Sequence, residues 1–175
     1  HLNSFNIDAV ASEIQFARLS MGVKSFIMDL VLPVIRECGQ LVNSGNLSVT
    51  QEHIVSTIIR DQLSQIYLAN SFESETSIAL ATPLGNIHEL SILIADLLCR
   101  VNRLPTRYLG VGHPAPCLAE ALGALKIPIL VLGVISSSEW SYEDNIITYL
   151  TELDSLMGED LVVVLGGGQQ LDFPK

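Results

Sequence analysis

The sequence predicts an α/β protein with an all-α segment in front. A helical bundle is expected over residues 1–72 and a doubly wound parallel sheet over residues 76–175. Three observations carry this. Apolar residues before position 70 recur at helical spacing. From Ser77 onward, short apolar runs alternate with helical patterns in the order β-α-β-α-β-α-β, which builds a parallel sheet with right-handed crossovers. Finally, 49% of the 175 residues are apolar, enough to fill the core of one large or two small domains.

The first helix is read from Ile7, Val10, Ile14, Ala17 and Met21, with Asp8 and Glu13 on the opposite face. A second runs from Gly22 to Val42, with Phe26, Leu30, Val34 and Leu41 as its stripe. Pro33 lies inside it and should kink or split it. Asn43-Ser-Gly-Asn46 is a turn. Ser48-Val-Thr-Gln51 is a capping box, so Ser48 opens a third helix. That helix carries Ile54, Ile58, Leu63 and Tyr67 and is expected to stop near Asn70. Residues 71–76 form a polar linker. A bundle of this size is too small to be very stable alone and should pack on the second half.

The second half begins with a strand at Ser77–Ala81, a helix over Ile87–Arg100 and a strand at Thr106–Leu109. A helix over Pro116–Leu125 follows, with proline at its start, where a missing N–H does no harm. The third strand is Ile127–Leu132. The third helix spans Trp140–Met157 and is opened by Ser138 or Ser141. Leu161–Leu165 is a fourth strand, wholly apolar and therefore expected to be central. Leu171-Asp-Phe173 begins a possible fifth. No closing helix follows, so the domain looks trimmed. Gly110-Val-Gly112 is read as a turn signal. A Gly-x-Gly-x-x-Gly fingerprint after the first strand and a Lys-bearing phosphate loop are both missing.

Composition excludes several classes. The net charge is −10 with nine Lys and Arg, a surface that repels phosphate backbones. Arg100, Arg103 and Arg107 are the densest basic group and flank one helix end. No apolar run reaches the ~18 residues of a membrane span. Cys38, Cys99 and Cys117 are odd in number and far apart, which fits buried thiols in a reducing cytoplasm. A start at His1 without a targeting signature suggests a piece of a longer protein.

The loops at the carboxyl ends of the strands should line one crevice, where open α/β sheets bind ligands. In Ala79-Leu-Ala-Thr-Pro-Leu-Gly-Asn-Ile-His88-Glu-Leu-Ser91, an apolar run ends in a Thr-Pro-x-Gly turn and a histidine follows at once. His88 is either a ligand of that crevice or incidental to a helix start capped by Asn86, with Glu89 as its N3 partner. Glu52 and His53 in the third helix have an ordinary reading too: both lie in its first turn, where Glu52 suits the helix dipole.

Taken together, Asn86-Ile-His88-Glu-Leu-Ser91, then Ser136-Ser-Ser138, then Gly166-Gly167 resemble the cobalamin-binding domain of methionine synthase, corrinoid mutases and cobalamin-dependent light-sensing regulators. The family pattern is Asp/Glu-x-His-x-x-Gly, a Ser-x-Leu-like loop and Gly-Gly. Val49-Thr-Gln-Glu52-His53 is similar to the helical bundle that caps cobalamin in the light-sensing MerR-type regulators. The resemblance covers most of residues 20–168 and implies a Rossmann-like or flavodoxin-like cobalamin domain. It implies base-off cobalamin, adenosylcobalamin or another form, with His88 as the lower ligand of cobalt. The nucleotide tail would pass Ser136, Ser138, Gly166 and Gly167. Val42, Glu52 and His53 would face the upper ligand.

Three positions depart from the pattern. Asn86 replaces a carboxylate that would accept the other imidazole N–H, so ligation by His88 should be weaker. Ser91 replaces a glycine and would crowd the corrin edge. Val42 stands where the light-sensing members carry a shielding tryptophan. The implied protein is a non-enzymatic sensor or photoreceptor module of a transcription regulator. It would be cytoplasmic and homo-oligomeric (dimer or tetramer), touching DNA only through a helix-turn-helix domain absent from these residues. The alternatives are a corrinoid methyl carrier and a degenerate module that binds haem or only protein partners.

Overall fold

The computed structural model describes residues 4–66, 77–136, 140–157 and 161–167. The chain divides into two compact units, His1–Leu68 and Ala69–Lys175.

The first unit is helical. Helix α1 (Ile7–Ser20) starts at Asn6, whose side chain accepts the Ala9 N–H at 3.2 Å. A single turn, α2 (Val23–Ser25), runs into a π-helical segment (Phe26–Val31) and then α3 (Leu32–Asn43). Pro33 is the physical reason for the wide turn. It has no N–H for the Asp29 carbonyl, and the chain responds with longer bonds, such as Leu32 N–H to Ile27 O. The expected kink is therefore absorbed as a π turn. One extra residue in a turn also shifts the stripe: Phe26, Ile27, Val31 and Cys38 are buried, while Leu30 and Val34 are only half-buried.

Helix α4 (Val49–Ser64) has the predicted capping box. The Ser48 hydroxyl accepts the Gln51 N–H at 3.2 Å and Gln51 Oε1 accepts the Ser48 N–H at 2.9 Å. It ends at Ser64, short of Asn70, and Tyr67 lies outside the described residues. Its buried stripe is Gln51, Val55, Ile59 and Leu63, one residue on from the expected Ile54 and Ile58. Arg18 on α1 ties to α4 through Gln62 (2.7 Å) and Gln65 (3.1 Å).

The second unit is a doubly wound α/β layer, as its sequence predicts. Strands β1 (Ile78–Pro83), β2 (Thr106–His113), β3 (Ile129–Gly133) and β4 (Val162–Gly166) form one parallel sheet in the order β2-β1-β3-β4. Helices α5 (Glu89–Val101), α6 (Ala115–Leu125) and α7 (Tyr142–Met157) connect them. Ala79, Ala81, Leu130 and Leu132 share a core with Leu118 and Leu122 of α6 and Ile146 and Leu153 of α7. Strand alternation turns Leu80, Val131 and Gly133 to the other face, where a Cβ on Gly133 would meet Ile92 of α5.

Two expectations change here. The segment Gly110-Val-Gly112 is not a turn: β2 runs on to His113. The glycines take positive φ (99° and 75°) where the β1–β2 register slips. Nor is β4 central among the described strands. It is the edge of the sheet, with Val163 and Leu165 packed on the core while Val162 (58%) and Val164 (48%) are exposed. A wholly apolar run such as Leu161–Leu165 reads the same whether one or both faces are covered. Leu171–Phe173, expected to start a fifth strand, lies outside the described residues.

Candidate functional site

In the sheet unit the connection from β1 goes through α5 to β2 on one side, while β3 pairs β1 on the other. The chain thus reverses its winding between β1 and β3, and the loops leaving those two strands diverge. This is the topological switch point at which open α/β sheets hold ligands. His88 is on the first of the two loops and Ser136 on the second.

The first loop is tied down locally. Gly85 takes φ 83°, a conformation that favours glycine, and Trp140 lies only 3.1 Å from where a Cβ would sit. Trp140 is buried, and its indole N–H donates to the Leu84 carbonyl at 3.2 Å. Asn86 is fully buried and donates to the Ile135 carbonyl at 2.9 Å. The loops after β1 and β3 are therefore joined twice. Thr82, also fully buried, donates its hydroxyl to the Asn86 carbonyl and accepts the Gly112 N–H at 2.8 Å.

His88 is half-buried and is itself the N-cap residue of α5, without a side-chain cap bond. The capping box built on Asn86 and Glu89 does not form. Asn86 faces the loop after β3, and Glu89 accepts the Tyr108 hydroxyl at 2.9 Å. Burial, and then Glu89, push the Tyr108 phenol well above its ordinary range. Leu84 (59% exposed) and Ile87 (72%) flank this loop, giving it an apolar rim. The Ser91 hydroxyl donates to the His88 carbonyl at 3.0 Å and sits 3.0 Å from a Cβ built on Gly133. Ser91 is thus turned into the α5–β3 packing.

The Ser136 hydroxyl, on an exposed residue, accepts the Tyr142 N–H at 3.2 Å at the start of α7. Ser141 accepts the Asp144 N–H only at 3.4 Å. Ser138 lies outside the described residues. The two glycines at the end of β4, Gly166 in the strand and Gly167 just after it, differ in kind. A Cβ on Gly166 would meet open space, whereas one on Gly167 would fall 2.0 Å from the Val134 carbonyl oxygen. Gly167 therefore lets β4 close on β3, where Val134 N–H reaches Gly166 O at 2.7 Å.

In the helical unit, Glu52 and His53 are adjacent and paired: His53 Nδ1 lies 2.8 Å from Glu52 Oε2, and the Ser56 hydroxyl donates to the other carboxylate oxygen. His53 is well exposed and Glu52 mostly covered. Cys38 on α3 is buried, and burial followed by the Glu52 charge raises its thiol. Val42, one helical turn beyond Cys38, is half-buried. The thiols are not uniformly buried as expected: Cys99 is partly covered and Cys117 exposed. Among the described residues, no group of three or more His, Cys, Asp and Glu could hold a metal ion, and no helix is long and apolar enough to cross a membrane.

Sequence reasoning missed Thr82, Gly133 and Trp140. Thr82 belongs to the Thr-Pro-x-Gly turn and Gly133 ends an apolar run, so both carried a turn signal. Nothing local pointed to their partners.

No family model matches the chain. It is 30% identical over 140 residues to the HTH-type transcriptional repressor CarH of Myxococcus xanthus, a match covering 79% of this chain and 46% of that protein. It is 28% identical over 129 residues to the HTH-type transcriptional repressor CarA of the same organism, covering 73% and 43%. The chain thus spans less than half the length of these curated relatives. In fold it is similar to the monomethylamine corrinoid protein of Methanosarcina barkeri, with a TM-score of 0.72 at 12% identity over 95% of this chain and 84% of that one.

Proposed function

We propose that the chain is a member of the cobalamin-binding domain family and, within it, the cofactor-holding regulatory module of a transcription regulator. The observation that carries the proposal is the placement of His88. Its imidazole stands on the half-buried loop at the β1/β3 switch point. The residues around it fit a flat corrin: Leu84 and Ile87 offer exposed apolar surface, and Gly166 leaves open space after β4. The names of the curated relatives support a regulator over a methyl carrier, and a binding module over an enzyme.

In this reading, His88 would hold cobalt through a neutral ring nitrogen. Ser136 and Gly166 would hold the nucleotide tail, the role proposed also for Ser138, and Gly167 keeps β4 closed on β3. Val42, Glu52 and His53 would be the helical unit's own cofactor-contacting residues, and the Glu52–His53 pair would present an imidazole held by a carboxylate. Bound cobalamin would supply chemistry sensitive to light or to ligand exchange, and occupancy of the site would change how copies of the module associate as dimers or tetramers. DNA contact is assigned to a helix-turn-helix domain outside these residues.

The test is retention. The protein is mixed with adenosylcobalamin or hydroxocobalamin, desalted and examined by visible spectroscopy in the dark and after illumination, with its mass followed by gel filtration. A retained corrin spectrum is expected, and His88→Ala should move it to the form without imidazole. Absence of any corrin after desalting overturns the reading. A haem Soret band in its place supports the degenerate alternative.

A further inference from the structure

Asn86 lies between β1 and α5 in a loop, yet none of its surface is exposed. Its carboxamide meets two backbone groups of opposite sense. Nδ2 donates to the Ile135 carbonyl at 2.9 Å, and Oδ1 accepts the His88 N–H at a longer 3.4 Å. One neighbour can only accept and the other can only donate. A carboxamide has an end for each, whereas an ionised carboxylate is acceptor-only and would set an oxygen against the Ile135 carbonyl. The Asn86 main chain is held as well, since its carbonyl takes the Thr82 hydroxyl, whose oxygen accepts the Gly112 N–H. A buried polar chain thus runs from the end of β2, through β1, to the loop after β3.

We propose that Asn86 is a positioning residue: its carboxamide clasps the loops after β1 and β3 and fixes the backbone that presents His88. Both ends of its carboxamide meet backbone groups, a role other than that of the carboxylate that Asn86 replaces in the family pattern. The proposal takes from the preceding section only that His88 faces the cofactor, and the clasp itself exists without any ligand. It also explains why asparagine stands here. Exchange for a carboxylate would break the tie to Ile135, so N86D should weaken the site and not strengthen it.

The experiment compares N86D and N86A with the parent protein. The buried Trp140 is the single tryptophan in the sequence, so its fluorescence reports the sheet unit. At pH 8, both variants should lower the melting temperature by about 5–10 °C, the effect of leaving a buried backbone partner unsatisfied in a chain of this size.

With hydroxocobalamin added, N86D should show less imidazole-ligated spectrum than the parent at pH 8. The clasp is overturned if N86D is as stable as the parent at pH 8, or if it strengthens the imidazole-ligated spectrum. Should the parent retain no corrin, the cofactor reading fails while the stability arm still decides the clasp. Should both variants fail to fold, hydrogen exchange of the Asn86 side-chain amide in the parent decides. Protection supports the clasp and free exchange overturns it.

Discussion

The Gly133→Ala variant tests how the crevice is packed. Gly133 ends β3 on the face toward α5. An added Cβ would lie 2.5 Å from Ile92 Cγ2, 3.0 Å from Ser91 Oγ and 3.4 Å from Thr82 Cγ2. The first distance is well inside van der Waals contact, and Ile92 has nowhere to go: it is 1% exposed and β-branched on a helix, where one χ1 rotamer dominates. Overpacking of this kind costs about 1–3 kcal/mol. Losing a glycine recovers roughly 0.4–1 kcal/mol by stiffening the unfolded chain, because the φ of Gly133 is not in the left-handed region. The net expectation is a loss of about 1–2 kcal/mol, read as a fall of roughly 2–8 °C in the melting of the sheet unit by Trp140 fluorescence. Ile92→Leu moves the branch from Cβ to Cγ and removes the colliding atom at nearly constant volume. The double variant G133A/I92L should therefore be more stable than the sum of the two single effects. Full stability of G133A, or strict additivity with I92L, would refute this account of the contact. The same crowding pushes on Ser91, which holds the His88 carbonyl, so G133A should also retain cobalamin less well in the desalting assay.

Two other measurements follow from the structure. Asp96 is 3% exposed and bonds Arg100 through both oxygens (each 3.0 Å) and the buried Thr106 hydroxyl at 2.6 Å, so Asp96→Ala leaves the guanidinium between α5 and β2 without its carboxylate and with only Thr106, at 3.0 Å, of these partners. It should cost about 3–5 kcal/mol in urea unfolding, and a loss below about 1 kcal/mol would contradict the burial. The thiols should react with a disulfide reagent in the order Cys117, Cys99, Cys38. Burial raises Cys38, so its folded form favours the neutral thiol. The stability this confers is complete below the unfolded thiol's pKa of about 8.5 and is lost as pH rises past it. Reaction of Cys38 ahead of Cys117 at pH 8 would contradict this order.

What could be read from the residues was whatever they decide locally. Ser48 and Gln51 are three apart, and their capping box formed as predicted. The Thr-Pro-x-Gly run located the end of β1 and put His88 on its loop. The α4 stripe was misread because apolar residues come in adjacent pairs, Ile54-Val55 and Ile58-Ile59, so periodicity alone cannot choose between them. Gly110 and Gly112 carry turn chemistry, but pairing with β1 overrides it and uses their freedom for a slip in register. Asn86 was illegible for a different reason: its partner Ile135 is 49 residues away, and a short polar side chain beside a histidine gives no sign of where its amide points.

The wide turn at Phe26–Val31 makes the helical unit a matter of phase. Each residue advances an α-helix by about 100°, so an extra residue in one turn rotates everything after it by that much. Phe26, Ile27 and Val31 are buried within the turn and Cys38 beyond it, so all four share a phase that includes the extra residue. Replacing Pro33 would remove the reason for the wide turn without removing the turn. A regular α-helix would bury the first group only by swinging Cys38 and Val42 out of place. The proline thus starts a frame that the core then keeps, and the position of Val42 relative to Glu52 is counted in residues from that turn.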